Sequence, residues 1–415
     1  MQGLLRWNRF RAAKWDNHFA MPLGLYISVP FCRSKCSYCN FASDVFSRAV
    51  HQGYVDRVCQ NIERAHQTAS ELGGESERSV DSVFLGGGTP TVLDMRQLER
   101  LFVTVTSSFD LRAGAEITVE CAPGTINSSV LETFQRCGVN RVSLGVQSFV
   151  DQEAASVGRL HKRQTVMDDV ARLRAAGIHN INVDLIAGLP HQTRESWEFS
   201  VQQAIACEVP HVSVYMLEVD EDSRLGREVI AGGTRYHAHS VPDDDLVADF
   251  YEEACDQLNR AGIRQYEISN FAREGGQSSH NLKYWTRQPY LGFGVDAHSM
   301  LVAKEPGLEA VRFSTPESLD NYLSGAPLKC IPITKEAALE ETFFLGLRLT
   351  HGVDLNLAGQ KFGSVAVAEL SLAIDDCIRD GLIARQDQLI CLTRSGRLLS
   401  NEVFQRFLSV PRVAS

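Results

Sequence analysis

The first half of the sequence alternates short apolar strands with helices, and this alternation limits the possible fold more than any other feature. Strands that alternate with helices of about 10 to 15 residues build a parallel sheet, whose active site lies at the carboxyl ends of the strands. The predicted strands are residues 26–29, 82–85, 116–120, 141–145, 181–186 and 211–216. Six strand-helix units fall short of the eight that close a TIM barrel. We therefore predict an α/β fold, a partial (β/α)6 TIM-like barrel.

Beyond the sixth strand the regular alternation of strands and helices stops, and the pattern of predicted elements changes twice. The chain has 415 residues, 44% of them hydrophobic, which is enough for one large core and a smaller second one. The last part reads as three helices, two short strands and a final helix, a pattern typical of a winged-helix-like domain. We predict an N-terminal extension that can be disordered (1–20), the partial barrel (21–220), an extension of the barrel (221–330) and the winged-helix-like domain (331–415).

The charge balance argues against several classes of protein. The 51 acidic and 41 basic side chains give a formal charge of −10 with no long basic run, which disfavours nucleic acid as a partner. No segment approaches the ~20 apolar residues that a transmembrane helix needs. The N-terminus lacks the apolar core of a secretory signal, and its basic residues only weakly resemble an organelle-targeting segment. We expect a cytoplasmic protein.

Eleven cysteines are present, and eight of them are scattered singly among apolar neighbours, which indicates a reducing compartment. The other three, Cys32, Cys36 and Cys39, form a C-x3-C-x2-C loop directly after the first strand. Three thiolates can hold three corners of an iron-sulfur cubane, and the fourth iron then keeps an open position. A structural zinc site is the alternative, but zinc usually takes four ligands from two pairs, and the sequence has no second pair.

Polar and glycine residues follow the predicted strands where an active site is expected. The turn Gly86-Gly87-Gly88-Thr89-Pro90 comes directly after the second strand, and glycine lets the backbone approach a ligand closely. Single polar residues at strand ends usually make structural hydrogen bonds, but four of them here face one barrel mouth. Carboxylates suit ribose hydroxyls and ammonium groups, and arginine suits a carboxylate. These four residues are Glu120, Gln147, Arg159 and Asp184.

The cysteine spacing, with Tyr38 directly before Cys39, resembles the signature of the radical S-adenosylmethionine (SAM) superfamily. This resemblance implies a [4Fe-4S] cluster held by Cys32, Cys36 and Cys39, with SAM bound at the open iron. It also implies an electron donor for the cluster. In this superfamily the glycine motif after the second strand holds the SAM ammonium.

Over residues 24–300 the sequence is similar to the family of oxygen-independent coproporphyrinogen III oxidases and its relatives. The resemblance implies that Tyr26, Gly87 and Glu120 contact the cluster-bound SAM. Six further residues match positions that line a second SAM in the oxidase, namely Tyr38, Gly88, Thr89, Gln147, Arg159 and Asp184. The number of SAM molecules that this chain binds is left open, and so is whether SAM is cleaved.

Two departures point away from the oxidase. Phe41 stands where the oxidase has a further cysteine, and the 31 residues before Cys32 are fewer than in the oxidase. Both indicate the sister group, the HemW-type haem chaperones. A third difference is local. Glu120 is followed by Cys121-Ala122-Pro123, where the family commonly has an asparagine before the proline, and this affects only the contact made at that position.

The segment His280-Asn281-Leu282-Lys283-Tyr284-Trp285 matches the H-N-x-x-Y-W run of the haem chaperone group. An imidazole can ligate haem iron, which makes His280 the candidate haem contact. The plainer interpretation is a loop whose aromatic side chains cover the barrel mouth. We predict a chaperone that binds a [4Fe-4S] cluster, SAM and haem and passes haem to an acceptor protein. The alternatives are a coproporphyrinogen III oxidase and another radical SAM enzyme that acts on a small molecule.

Overall fold

The computed structural model describes residues 21–408. The predicted N-terminal extension, residues 1–20, lies outside the described residues, as do residues 409–415. The elements of the first half are β1 (Leu23–Val29), α1 (His51–Glu63), α2 (Ala65–Glu71), β2 (Gly74–Glu75), β3 (Ser79–Gly87), α3 (Met95–Ser108), β4 (Asp110–Cys121), α4 (Ser128–Arg136), β5 (Arg141–Gln147), α5 (Asp151–Ser156), α6 (Arg163–Ala175), β6 (Asn180–Ala187), α7 (Arg194–Ala206) and β7 (His211–Met216).

The six predicted strands are confirmed as β1, β3, β4, β5, β6 and β7, which pair in that order and run parallel. Alternate residues of a strand face opposite sides of a sheet. On the side that packs against the helices the residues are apolar and fully buried, as at Ile27, Leu85, Leu144 and Leu185. The residues between them face the barrel interior, and many are polar. The partial barrel therefore has an apolar outer layer and a polar interior.

The middle part of the chain adds to the same sheet. Its elements are α8 (Arg224–Ile230), α9 (Asp244–Arg260), β8 (Arg264–Gln265), β9 (Asn270–Ala272), α10 (Ser279–Trp285), β10 (Tyr290–Phe293), β11 (His298–Ala303), β12 (Leu308–Ser314), α11 (Leu319–Ser324) and β13 (Lys329–Thr334). Strand β10 runs parallel to β1 on the side away from β3, and β11, β12 and β13 continue the sheet in antiparallel pairs. The sequence pattern did not predict this seventh parallel strand, because β10 has only four residues.

The C-terminal part forms a second core. Its elements are α12 (Lys335–Gly346), β14 (Val353–Asp354), α13 (Leu355–Phe362), α14 (Ser364–Glu369), α15 (Ser371–Arg379), β15 (Ile383–Gln386), β16 (Leu389–Leu392), α16 (Arg394–Leu398) and α17 (Ser400–Gln405). The three strands form a separate small sheet in the order β14-β16-β15. Phe343, Ile390 and Phe407 are buried in the core between this sheet and the helices. The two predicted strands are present, and β14 adds a third.

Candidate functional site

The cysteine loop is held at the carboxyl end of β1. The N–H of Cys32 donates to the carbonyl oxygen of Asp44 at 3.0 Å, and the N–H of Cys39 donates to that of Cys36 at 3.3 Å. The three cysteines are free and half-buried. Burial raises the pKa of the Cys32 thiol, so a metal that binds this thiolate must displace its proton.

The three thiols suit a cluster better than a single ion. Within residues 21–408, no three His, Cys, Asp or Glu side chains converge closely enough to hold one metal ion. A cubane does not require such convergence, because each of its cysteines binds a different iron. The donor set of one short loop therefore fits a cubane with an open iron, and it does not fit a four-ligand zinc site.

Two neighbouring segments fix the far side of the cysteine loop. The N–H of Ser37 donates to the carbonyl oxygen of Val157 at 3.1 Å, and the carbonyl oxygen of Ser37 accepts from the N–H of Leu225 at 2.8 Å. The Arg159 guanidinium donates to the Tyr38 hydroxyl at 2.9 Å. The loop is thus anchored to the segment after α5 and to the start of α8, and Tyr38 and Arg159 come together.

Tyr26, Gly87 and Glu120 meet at the ends of β1, β3 and β4. Gly87 has a φ of 94°, and its N–H donates to Oε2 of Glu120 at 3.0 Å. A Cβ placed on Gly87 would lie 3.2 Å from the Tyr26 hydroxyl oxygen. Burial, and then the nearby charge of Asp184, raise the pKa of Glu120 to about 8. A cation beside this carboxyl would favour its charged form.

Gly88 and Thr89 have a different environment. Their N–H groups donate to the carbonyl oxygens of Val29 and Phe31, at 2.9 and 2.8 Å. A Cβ on Gly88 would lie 2.6 Å from the same Val29 oxygen. These two residues therefore join the glycine turn to the start of the cysteine loop, and their amides are not free to bind a ligand.

Gln147, Arg159 and Asp184 lie together at the mouth, next to Tyr38. Oε1 of Gln147 and Nε of Arg159 are buried and have no hydrogen-bond partner in the described part of the chain. A Cβ on Gly145 would lie 3.1 Å from Nη2 of Arg159 and 3.2 Å from Nε2 of Gln147, so the glycine leaves room for both side chains. Buried polar atoms normally have partners, and these two face the site where a polar ligand is expected.

A chain of polar residues inside the barrel orients Asp184, and it was not predicted from the sequence. The Ser143 hydroxyl donates to Oδ2 of Asp184 at 3.0 Å, and Nδ2 of Asn182 donates to Oδ1 at 2.8 Å. Nδ1 of His211 lies 2.6 Å from Oδ1 of Asn182, and its Nε2 lies 2.9 Å from the Tyr266 hydroxyl. Polar residues at every second position of β5, β6 and β7 were the available signal.

His280 does not lie at the mouth. The N–H groups of Ser279 and His280 donate to the Glu116 carboxylate at 3.0 Å, which places α10 at the amino-terminal end of the barrel interior. The two ring nitrogens of His280 lie 3.0 Å from Oγ of Ser82 and 2.8 Å from the Tyr284 hydroxyl. The side chain is 1% exposed, and burial lowers its pKa to about 3. Ligation of haem iron by either ring nitrogen would require that nitrogen to give up its hydrogen bond.

None of the helices in residues 21–408 combines the length and the apolar character that crossing a membrane requires.

Comparison with known proteins agrees with this geometry. The model of the Radical SAM superfamily matches residues 26–204, and that of the HemN C-terminal domain matches residues 333–399. In a solved structure, coproporphyrinogen III oxidase (HemN) from Escherichia coli has the same fold, with a TM-score of 0.79 and 24% identity over 93% of this chain and 90% of that one.

The sequence relatives give a finer assignment. The heme chaperone HemW of Lactococcus lactis is 32% identical over 93% of this chain and 97% of its own length. The heme chaperone HemW of Bacillus subtilis is 33% identical over 92% of this chain and 98% of its own length. The mouse protein called radical S-adenosyl methionine domain-containing protein 1, mitochondrial, is 36% identical over 79% of this chain and 74% of its own length. The chain therefore belongs to the radical SAM superfamily and, within it, to the HemW family.

Proposed function

We propose that this chain is a haem chaperone of the radical SAM fold, which binds haem and transfers it to an acceptor protein in the cytoplasm. One observation carries the proposal: the chain matches proteins named heme chaperone HemW over nearly the whole length of both sequences. Membership of the superfamily implies a [4Fe-4S] cluster and SAM. Haem, its acceptor and the electron donor of the cluster belong to the proposal.

Cys32, Cys36 and Cys39 are our proposed cluster ligands. When bound, the cluster supplies an electron that can cleave SAM. Glu120 would hold the SAM ammonium, since its carboxyl is placed by Gly87 beside Tyr26. Tyr38, Gln147, Arg159 and Asp184 would bind further polar groups of SAM or of a second SAM, with Gly88 and Thr89 shaping the turn. The unpartnered atoms of Gln147 and Arg159 support this assignment.

Two variants of the reconstituted protein test the cluster ligands. Cys36→Ala should lose iron and sulfide, because each cubane corner needs its thiolate. Cys330→Ala is the matched control, since Cys330 is free and exposed on β13. A full complement of iron and sulfide in Cys36→Ala would refute the ligand set.

An assay with coproporphyrinogen III tests the alternative function, that of an oxidase. Phe41, at the position where the oxidase has a further cysteine, is 64% exposed beside the cysteine loop. The reconstituted protein is incubated without oxygen with coproporphyrinogen III, SAM and a reductant, and in parallel is titrated with hemin. We expect saturable hemin binding and no steady formation of protoporphyrinogen IX. Steady conversion would refute the chaperone proposal in favour of the oxidase.

The role of His280 as a haem contact stays a prediction. Its ring is enclosed by Ser82, Tyr284 and the Phe84 ring, whose centroid lies 5.3 Å away. A hemin titration of His280→Gln tests it, because glutamine preserves hydrogen bonding but is a poor ligand for iron. An unchanged hemin spectrum would refute direct contact.

A further inference from the structure

A small cavity lies between the helices α1 and α2 on one side and β10, the loop after β12 and the α11 region on the other. Its volume is about 70 Å³. One water molecule needs a cavity of about 10 to 15 Å³, so this cavity has room for a group of several atoms. Its polar lining includes Arg57, Asn61 and Thr68, and its apolar lining includes Phe293 and Leu328.

The charged group in the cavity is the Arg57 guanidinium, which is half-buried and has no partner in the protein. It makes neither a hydrogen bond nor an ion pair with any of the described residues, and its Nε is fully buried. Other enclosed arginines are bonded: Arg141 donates to the carbonyl oxygen of Gly276, and Arg287 pairs with Glu341. Since buried donors normally have acceptors, Arg57 is placed to bind an acceptor from outside the chain.

Gly325 leaves the space that the guanidinium occupies. It ends α11 with a φ of 79°, and a Cβ at this position would lie 2.5 Å from Nη2 of Arg57. The end of a helix favours a nearby cation, which explains why a positive charge is tolerated here. However, Arg57 donates to no carbonyl oxygen within residues 21–408, so its hydrogen-bonding capacity stays unused.

Asn61 and Thr68 add further donors on the same side of the cavity. Asn61 follows Arg57 by four residues in α1, so both side chains lie on one face of the helix. Oδ1 of Asn61 accepts from the Tyr322 hydroxyl at 2.6 Å, which fixes the amide and leaves Nδ2 without an acceptor in the part of the chain that the structure describes. The Thr68 hydroxyl makes no hydrogen bond to the described residues either. A guanidinium, an amide and a hydroxyl therefore line one cavity.

The lining suits an anion with a hydrocarbon part. No Asp or Glu is among the described residues that line the cavity, although the chain as a whole has a formal charge of −10. A guanidinium binds a carboxylate or a phosphoryl group in the same bidentate way. Phe293 and Leu328 offer apolar surface beside these donors. A group of several atoms fits, whereas a porphyrin is far too large.

We propose that this cavity is a binding site for a small organic oxyanion. The carboxylate or phosphoryl group of the ligand pairs with Arg57 and accepts from Asn61 and Thr68. Its hydrocarbon part packs against Phe293 and Leu328. Because the cavity excludes haem, the site is separate from the proposed haem-binding function and does not depend on it.

The test is calorimetric titration of the full-length reconstituted protein with butyrate and, separately, with inorganic phosphate, at an ionic strength held constant with chloride. Arg57→Gln removes the guanidinium, and we expect the anion to bind at least about tenfold more weakly, since hydrogen bonds to charged groups are strong. Arg64→Gln is the matched control. It changes the net charge equally, but Arg64 is exposed between α1 and α2 and does not line the cavity, so its titration should equal that of the wild type.

A second variant keeps the proposal testable if Arg57→Gln folds poorly. Asn61→Asp places a carboxylate four residues from Arg57, where it can pair with the guanidinium and still accept from Tyr322, so it should also weaken anion binding. Saturable binding of butyrate alone would identify a carboxylate ligand, and that of phosphate alone a phosphoryl ligand. A wild type that binds neither anion saturably, equal affinity in Arg57→Gln and Arg64→Gln, or an unchanged affinity in Asn61→Asp would overturn the site.

Discussion

Gly87 and Glu120 join the carboxyl ends of two neighbouring strands, since the Gly87 N–H donates to Oε2 of Glu120 at 3.0 Å. The carboxyl is held at the mouth with its pKa raised to about 8, first by burial and then by Asp184. The group is therefore placed to become charged when a cation binds beside it.

Replacing Glu120 by glutamine should separate stability from SAM binding. The ordinary pKa of the carboxyl is 4.5, so between pH 4.5 and about 8 the folded chain keeps a proton that the unfolded chain has lost. The stability contributed by this group therefore falls as pH rises through that window. Above about pH 8 the SAM-free Glu120→Gln variant should be more stable than the wild type by ~1–3 kcal/mol.

The same variant should bind SAM more weakly, because glutamine cannot pair with an ammonium group. Urea denaturation across the pH range measures the first effect, and the change that SAM causes in the EPR spectrum of the reduced cluster measures the second. A variant that is no more stable at high pH, or that binds SAM as tightly as the wild type, contradicts the assigned role.

Gly88→Ala should disturb the cysteine loop. The new Cβ would lie 2.6 Å from the carbonyl oxygen of Val29 and 2.8 Å from that of Phe31, and both are backbone atoms that cannot rotate away. We expect a loss of ~1–3 kcal/mol in the free energy of unfolding and a lower iron content after reconstitution. Gly53→Ala is the control: Gly53 is exposed in α1 with open space around its Cβ, so alanine should stabilise the helix slightly. Equal iron content in the two variants would contradict the prediction that a side chain at Gly88 disturbs the cysteine loop.

The sequence predicted the barrel well because its signal is periodic. In β5 and β6, Leu144 and Leu185 occupy the outer face and Ser143 and Asp184 the interior, so the alternation shows which face of each strand packs against the helices. Strand β10 was not predicted, because four residues are too few to show a periodic pattern. It joins the sheet through pairing with β1, a contact between segments more than 260 residues apart in the chain.

Within the site, the sequence identified residues whose chemistry is local and missed those that depend on long-range contacts. Cys32, Cys36 and Cys39 are neighbours in the chain, so their spacing alone indicates a cluster. The hydrogen bond between His211 and Asn182, for example, joins residues that are 29 positions apart on neighbouring strands. His280 shows the converse, since its motif is plain in the sequence while its burial beneath Tyr26 is a property of the fold.

Acid should destabilise the folded protein through its buried histidines. Burial lowers the pKa of His280 to about 3 and that of His161 to about 4, and it also lowers the pKa of His211 well below the ordinary value of 6.5. The unfolded chain binds these protons first, so this stability is present above pH 6.5 and is lost as pH falls. Each histidine should contribute ~2 kcal/mol of loss by about pH 5.

His280→Gln isolates one of these contributions. Glutamine stays neutral, so urea denaturation of the variant should show less loss of stability than the wild type between about pH 6.5 and pH 5. The difference should be ~1–2 kcal/mol. His239→Gln, at an exposed position, should keep the pH dependence of the wild type. If His280→Gln and His239→Gln respond to acid alike, His280 is not a buried neutral histidine.

The C-terminal part should depend on one buried carboxylate. Glu341 on α12 accepts from Nε of Arg287 at 2.8 Å and lies 2.9 Å from Nη1 of Arg312 on β12. The Glu341 and Arg287 side chains are only 7% and 4% exposed, so Glu341→Ala leaves a buried guanidinium without its partner. We expect a loss of ~3–5 kcal/mol in the free energy of unfolding.

A surface ion pair in the same part of the chain provides the comparison. Arg394 pairs with Glu252 and Asp256 on α9, but its side chain is 49% exposed. Because water screens this pair, Arg394→Ala should cost ~0–1 kcal/mol. Urea denaturation and limited proteolysis of both variants measure the contrast, and Glu341→Gln, which keeps hydrogen bonding without the charge, should fall between them. Equal stability of Glu341→Ala and Arg394→Ala would show that the buried carboxylate does not hold α12 against the barrel.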